Sequence, residues 1–99
     1  MTEAAVTVVH QGAQHRFEAV VDGRLSRCDY QLDGKVMRLV HTEVPAALEG
    51  RGIASRLVAA ALAYAREQGH TVVPVCSYVR SYMRRHPETA SLLAEGVVL

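Results

Sequence analysis

Two rhythms divide the chain. Up to about residue 44 it reads as short segments rich in β-formers: Ala5 to His10, Gln14 to Val21, Arg24 to Leu32 and Lys35 to Val44. Turn signals stand between them at Gln11-Gly12, Asp22-Gly23 and Asp33-Gly34. Asp-Gly is favoured where a two-residue hairpin loop needs positive φ. In the third segment Ser26, Cys28, Tyr30 and Leu32 share one face, and Arg27, Asp29 and Gln31 share the other. That alternation suits a half-exposed antiparallel strand. In the fourth, Val36, Val40 and Val44 lie opposite Met37 and Leu39, which predicts a central strand buried on both faces. The first half is therefore expected to be an antiparallel meander of four strands.

The period then changes. From Ile53, apolar residues recur as Leu57, Ala61 and Tyr64, flanked by Val58, Leu62 and Ala65, the stripe of an amphipathic helix. Six alanines between Ala54 and Ala65 raise helix propensity and let the helix lie close to a sheet. Gly69 is a C-terminal stop. Thr71 to Val75 reads as a short strand, Ser77 to Arg85 as a second helix ended by Pro87, and Thr89 to Glu95 as a last helical turn. Strand, helix and strand in succession form a right-handed βαβ unit, so the fourth and fifth strands should be parallel neighbours. Pro74 has no N–H to give a ladder and fits an edge strand, or one that splays from its partner. A splay at the carboxyl ends would open a cleft beside Gly50-Arg51-Gly52, where open α/β sheets hold ligands.

Composition narrows the classes. The 99 residues are expected to form a single domain spanning 1–99, with 49% hydrophobic and 21% charged residues. A net charge of +1 gives no broad basic field, so nucleic acid is not an expected partner. Met1 to Ala5 lacks the basic region and apolar run of a signal peptide, and the apolar stretch from Ile53 to Ala65 is broken by Ser55 and Arg56. Neither export nor membrane insertion is expected. Cys28 and Cys76 form no metal or redox pattern, and His10, His15 and His70 show no ligand spacing. No metal site and a reducing, cytoplasmic setting are the expectations.

The chemistry centres on the strand-turn-loop-helix run from Val40 to Leu57. Two glycines at the mouth of a helix let a phosphate approach bare N–H groups where the helix end adds partial positive charge. A P-loop is excluded, because no Gly-Lys-Ser/Thr follows. The dinucleotide fingerprint matches only in part: Ser55 takes the place of the third glycine, and no acidic residue lies near position 71. The third reading is the pyrophosphate loop of acetyl-CoA-dependent acetyltransferases, Arg/Gln-x-x-Gly-x-Gly/Ala. Gly52 and Ala54 match its last two fixed positions, with Glu49 at the first. A glycine-rich turn that merely starts a helix is the alternative to all three.

With these residues the chain resembles the GCN5-related N-acetyltransferases, in particular their minimal, single-domain branch. The resemblance rests on His41-Thr42-Glu43-Val44-Pro45, Glu49-Gly50-Arg51-Gly52-Ile53-Ala54, Val73-Pro74-Val75-Cys76-Ser77-Tyr78 and Arg84-Arg85-His86-Pro87-Glu88. It implies an α/β (α+β-like) fold: a mixed, mostly antiparallel five-stranded sheet with a βαβ unit that binds acetyl-CoA. It also implies transfer of an acetyl group to an amine, on a small molecule or on a protein or peptide. The N–H groups of Gly50, Arg51, Gly52, Ile53, Ala54 and Ser55 would cradle the pyrophosphate of coenzyme A. The pantetheine arm would run along the backbone from Thr42 to Val44. The resemblance further gives Tyr82 as the group that protonates the departing thiolate, and Cys76 as a residue viewed as catalytic in the small branch.

The residues themselves carry part of this. Cys76 stands immediately before a helix, with Ser77 as the expected N-cap, and a thiol at a helix N-terminus becomes a better nucleophile. An inert buried cysteine is the competing reading, and Cys28 is read as structural. His41, expected on the face of Met37 and Leu39, is a candidate general base for the amine or a partner that activates Cys76. Flush strand ends would hold it three residues back, roughly 10 Å from Cys76. Glu43, on the same face, is a second candidate base acting through water. Arg80, Arg84 and Arg85 read as a solvated face, with Arg84 or Arg85 the alternative candidate for the 3′-phosphate of coenzyme A. A non-catalytic module that binds coenzyme A as a sensor or interaction protein is the alternative function.

Overall fold

The computed structural model describes residues 6–99; Ala5, at which the first expected strand begins, and the residues before it lie outside them. The chain forms β1 (Val9–Gln11), a 3-10 turn (Gly12–Gln14), β2 (Arg16–Val21), β3 (Arg24–Asp33) and β4 (Val36–Glu43). A second 3-10 turn (Ala46–Leu48), α1 (Ile53–Gln68), β5 (Thr71–Pro74), α2 (Ser77–Arg85) and a third 3-10 turn (Pro87–Leu92) follow. The sheet runs in the order β1-β2-β3-β4-β5. Its strands are antiparallel except for the parallel pair β4 and β5.

Local chemistry sets the boundaries. Asp22 and Gly23 both take positive φ, 51° and 72°, the primed turn that the right-handed twist of β2 and β3 demands. At the end of α1, Gly69 N–H bonds to Arg66 O and His70 N–H to Ala65 O, with Gly69 left-handed. This paired closure satisfies carbonyls that the helix would otherwise leave bare. Ser77 is the first residue of α2, and the N-cap position is taken by Cys76 in extended conformation. The expectation that Ser77 caps the helix is corrected by one residue: the cap position is held by Cys76, with no side-chain cap hydrogen bond.

Both helices pack on one face of the sheet. Phe17, Ala19, Cys28, Tyr30, Met37, Leu39 and Val72 meet Leu57, Val58, Ala61 and Ala65 of α1 and Val79 and Met83 of α2 in one core. The opposite face carries ion pairs: Arg16 reaches Glu18 and Asp29, and Arg27 reaches Asp29 and Glu43. Among the described residues no helix covers that face. β4 is therefore buried on one side only, with Arg38 exposed and Val36 and Val40 partly so, contrary to the two-faced burial expected from its valines.

One irregularity decides what β4 presents at its far end. Tyr30 pairs with Leu39 but Asp29 pairs with His41, so Val40 is an extra residue, a β-bulge. Side chains alternate with a period of two, and one inserted residue exchanges the faces beyond it. Thr42 thus takes the inward place across from Cys28, and His41 turns out.

The parallel pairing stops at Leu39 and Pro74. Thr71 N–H bonds to Lys35 O at its start, and Val75 N–H to Leu39 O at its end. Alternate residues of β5 face β4, so the missing N–H of Pro74 points to the other edge and costs the pairing nothing. Cys76 N–H converges on the same Leu39 O at 2.9 Å. The chain turns there, and β4 runs on from Val40 to Glu43 without β5 beside it.

Candidate functional site

The gap left by that divergence lies beside the glycine loop. Gly50 and Gly52 are left-handed, with φ of 84° and 76°, and Arg51 between them is not. Alternating handedness turns successive N–H groups toward one side, a concavity that suits an anion. The first bond of α1 runs from Arg56 N–H to Gly52 O at 3.2 Å. The N–H groups of Ile53, Ala54 and Ser55 therefore have no acceptor within the helix and point out of its positive end. No side chain caps them. The loop is pinned by Leu48, which is 1% exposed and bonds back from its N–H to Pro45 O. Free donors at a helix start, with open space where a Cβ would stand on either glycine, fit a diphosphate.

A cavity of about 560 Å³ fills the gap. It is lined on one side by Thr42, Glu43 and Val44 of β4 and its extension. Leu48, Glu49, Gly50, Gly52, Ile53 and Ala54 line the loop side, and Tyr78 of α2 closes it. Thr42, Val44, Gly50, Gly52, Ile53 and Ala54 were all expected here. Ser55 stands just behind, where its Oγ accepts a hydrogen bond from the Tyr78 hydroxyl at 3.4 Å. The Arg51 side chain turns away to Asp22 in the β2–β3 turn, 2.9 Å between charged atoms.

Cys76 adjoins the cavity through Thr42. Its half-buried Sγ donates to Thr42 Oγ1 at 3.6 Å, and Thr42 Oγ1 donates in turn to Cys28 Sγ at 3.9 Å. Burial pushes the Cys76 thiol up. The Val79 N–H, the Thr42 hydroxyl, the Tyr78 N–H and the Thr42 backbone outweigh that and hold it below its ordinary value. Cys28 has the opposite fate: burial pushes it up to about 11 against the weaker pull of the Thr42 hydroxyl.

The other expected catalytic groups are not gathered around the thiol. His41 and Glu43 bond to each other at 3.1 Å on the open face, where their side chains are 51% and 57% exposed. The hydrogen bond from His41, then the nearby Arg27, hold the Glu43 carboxyl below its ordinary value. His41 thus does not share the face of Met37 and Leu39, because the bulge at Val40 reverses its direction. Tyr82 lies in the core, stacked on His86 with ring centroids 4.1 Å apart, and burial raises its hydroxyl. It sits a turn deeper along α2 than Tyr78, the tyrosine that lines the cavity. Arg85 is in the last turn of α2, away from the N-terminus that meets the cavity.

Three residues take places in the site that the sequence reading did not assign them. Tyr78 reads like any aromatic on a short helix. Leu48 reads as a loop residue, although its burial fixes the glycine turn. The Thr42 side chain meets Cys76 only because of the bulge. The helical spacing of Tyr78 and Tyr82 places both on one face and could have raised Tyr78 as a candidate.

The profile of the GCN5-related N-acetyl-transferase family matches residues 16–92. Protein NATD1 of Mus musculus is 34% identical over 85 residues, covering 83% of this chain and 77% of that protein. Protein NATD1 of Xenopus tropicalis is 32% identical over 87 residues, covering 85% and 80%. A GCN5-like protein of Staphylococcus aureus, solved in solution by NMR, has the same fold with a TM-score of 0.70. At 22% sequence identity, that likeness spans 95% of this chain and 91% of the other. A five-stranded sheet that parts beside a glycine-loop helix start, and a profile match over most of the chain, place this protein in the GCN5-related N-acetyltransferase family.

Proposed function

We propose that the protein is an acetyl-CoA-dependent N-acetyltransferase in which Cys76 receives the acetyl group before an amine does. The observation that carries this reading is the position of Cys76. It is the N-cap of α2 where β4 and β5 part, with its thiol favoured toward ionisation. The loop N–H groups from Gly50 to Ser55 hold the diphosphate of acetyl-CoA. The unpaired edge of β4 from Thr42 to Val44 offers backbone groups to the amides of the pantetheine arm. Cys76 gives up its proton to solvent and its sulfur attacks the acetyl carbonyl. The bond from carbon to the coenzyme A sulfur breaks, and that thiolate leaves and takes up a proton. The amine then attacks the acetyl-cysteine, loses a proton, and returns Cys76 as a thiol.

Acetyl-CoA followed by intact-mass and peptide analysis tests this. An acetyl adduct on Cys76 is expected. Cys76→Ala is expected to lose it, to lose turnover by at least about 100-fold, and to keep the rise in melting temperature given by coenzyme A. No adduct, with turnover retained in Cys76→Ala, would eliminate the covalent route. One observation favours a second route, direct attack by the amine: Glu43 both lines the cavity and touches His41, so the pair can accept the amine proton at its outer mouth. In that case Glu43→Gln, not Cys76→Ala, abolishes turnover. Binding of coenzyme A without turnover on polyamines, amino acids or peptides would favour the non-catalytic module.

A further inference from the structure

The Thr42 hydroxyl lies between two sulfurs that differ in every respect. On one side is Cys76 Sγ, half-buried at the cavity, 3.6 Å away; on the other is Cys28 Sγ, wholly buried, 3.9 Å away. A hydroxyl has one proton to give, so it serves one sulfur as donor at a time. With Cys76 protonated, the hydroxyl accepts from that thiol and donates to Cys28. If Cys76 loses its proton to solvent, the sulfur becomes the stronger acceptor, and rotation about one side-chain bond brings the hydroxyl proton to it. The Cys28 thiol keeps its own proton throughout.

We propose that Thr42 is the positioning residue for the Cys76 sulfur, its hydroxyl parked on Cys28 while Cys76 is a thiol and donated to Cys76 once it is a thiolate. This rests on the reading of Cys76 as the nucleophile, but concerns a property of the free protein. The groups around the sulfur leave Thr42 as its side-chain partner. β3 contributes Cys28 by way of the Thr42 hydroxyl, and α2 contributes the N–H groups of Tyr78 and Val79, while the Tyr78 hydroxyl is bonded to Ser55 of α1. β4 turns the His41 side chain to the open face, where it pairs with Glu43 at the outer mouth of the cavity. The bulge at Val40 is what delivers Thr42 to this place, and Thr42→Val preserves the shape of the side chain while removing the hydroxyl, donor and acceptor together.

The test is the rate of Cys76 alkylation by iodoacetamide against pH, read on the Cys76 peptide by mass spectrometry. Thr42→Val is expected to move the midpoint up by about one pH unit, slowing alkylation at neutral pH about tenfold. Thr42→Ser is expected to restore it. Cys28→Ala removes the competing acceptor, so its midpoint should stay or fall. An unchanged midpoint in Thr42→Val, a Ser variant that behaves like Val, or a rise in Cys28→Ala would each overturn the proposal. The alkylation profile needs no acetyl-CoA. A protein that forms no acetyl adduct yet shows the expected shifts refutes the covalent route and leaves the role of Thr42 standing. An adduct with unmoved midpoints does the reverse.

Discussion

Cys28 and Cys76 are chemically the same group, driven apart by what surrounds them. Cys28 is enclosed by core side chains and pushed from 9.0 to about 11. In the unfolded chain it titrates near its ordinary value. Above that value the unfolded state releases a proton that the native state retains, so rising pH favours unfolding. The stability is fully present below about pH 9 and is lost between about 9 and 11, by about 3 kcal/mol at most. Tyr30 and Tyr82, raised by burial, add in the same sense above 10.0. Cys76, held below its ordinary value, acts in the opposite sense. Urea unfolding of wild type and Cys28→Ala from pH 8 to 11 separates them: the difference between the two proteins should follow the Cys28 window alone. At this scale the sequence was partly legible. A cysteine just before a helix signals a tuned thiol from adjacency alone. That Thr42 rather than His41 would face it depends on strand register, which no neighbouring residue records.

At the scale of elements, the glycine loop makes the sharpest demand on sequence. Gly52 is left-handed at the N-cap of α1, and a Cβ there would meet nothing within 4 Å. Gly52→Ala should therefore cost only its backbone conformation, about 1 kcal/mol, lowering the melting temperature by about 4–8 °C. If the loop cradles a diphosphate, the added methyl also obstructs it, and coenzyme A should raise the melting temperature of the variant less than that of wild type. The strands and helices were legible because their ends are chemically marked: Asp22-Gly23 for a primed hairpin, Gly69 for the close of α1, Pro87 after α2. The bulge in β4 has no such mark. Val40 is an ordinary β-former, and its extra position follows from pairing with β3, a relation between distant segments.

The whole molecule is a sheet with a packed face and an open one, and the two should answer mutation differently. Leu57→Ala empties a site that is 0% exposed beneath the sheet and should cost about 2–5 kcal/mol in chemical denaturation. Arg27→Ala removes partners from Asp29 and Glu43 on a face reached by water and salt, and should change stability by no more than about 1 kcal/mol. The layer count was less legible than the strand count. Alternating valines in β4 suggest cover on both sides, but whether a second layer exists depends on what the rest of the chain supplies. The Val40 bulge also has a consequence for comparison among relatives. Substituting or deleting Val40 leaves Thr42 looking inward, whereas a strand of the same length paired without the bulge would exchange the two faces at the mouth. An alignment drawn through this strand without a gap can place a threonine and a histidine in separate columns when they occupy the same side of the sheet. What the mouth of this fold presents is thus inherited as a parity, odd or even, as much as a residue type.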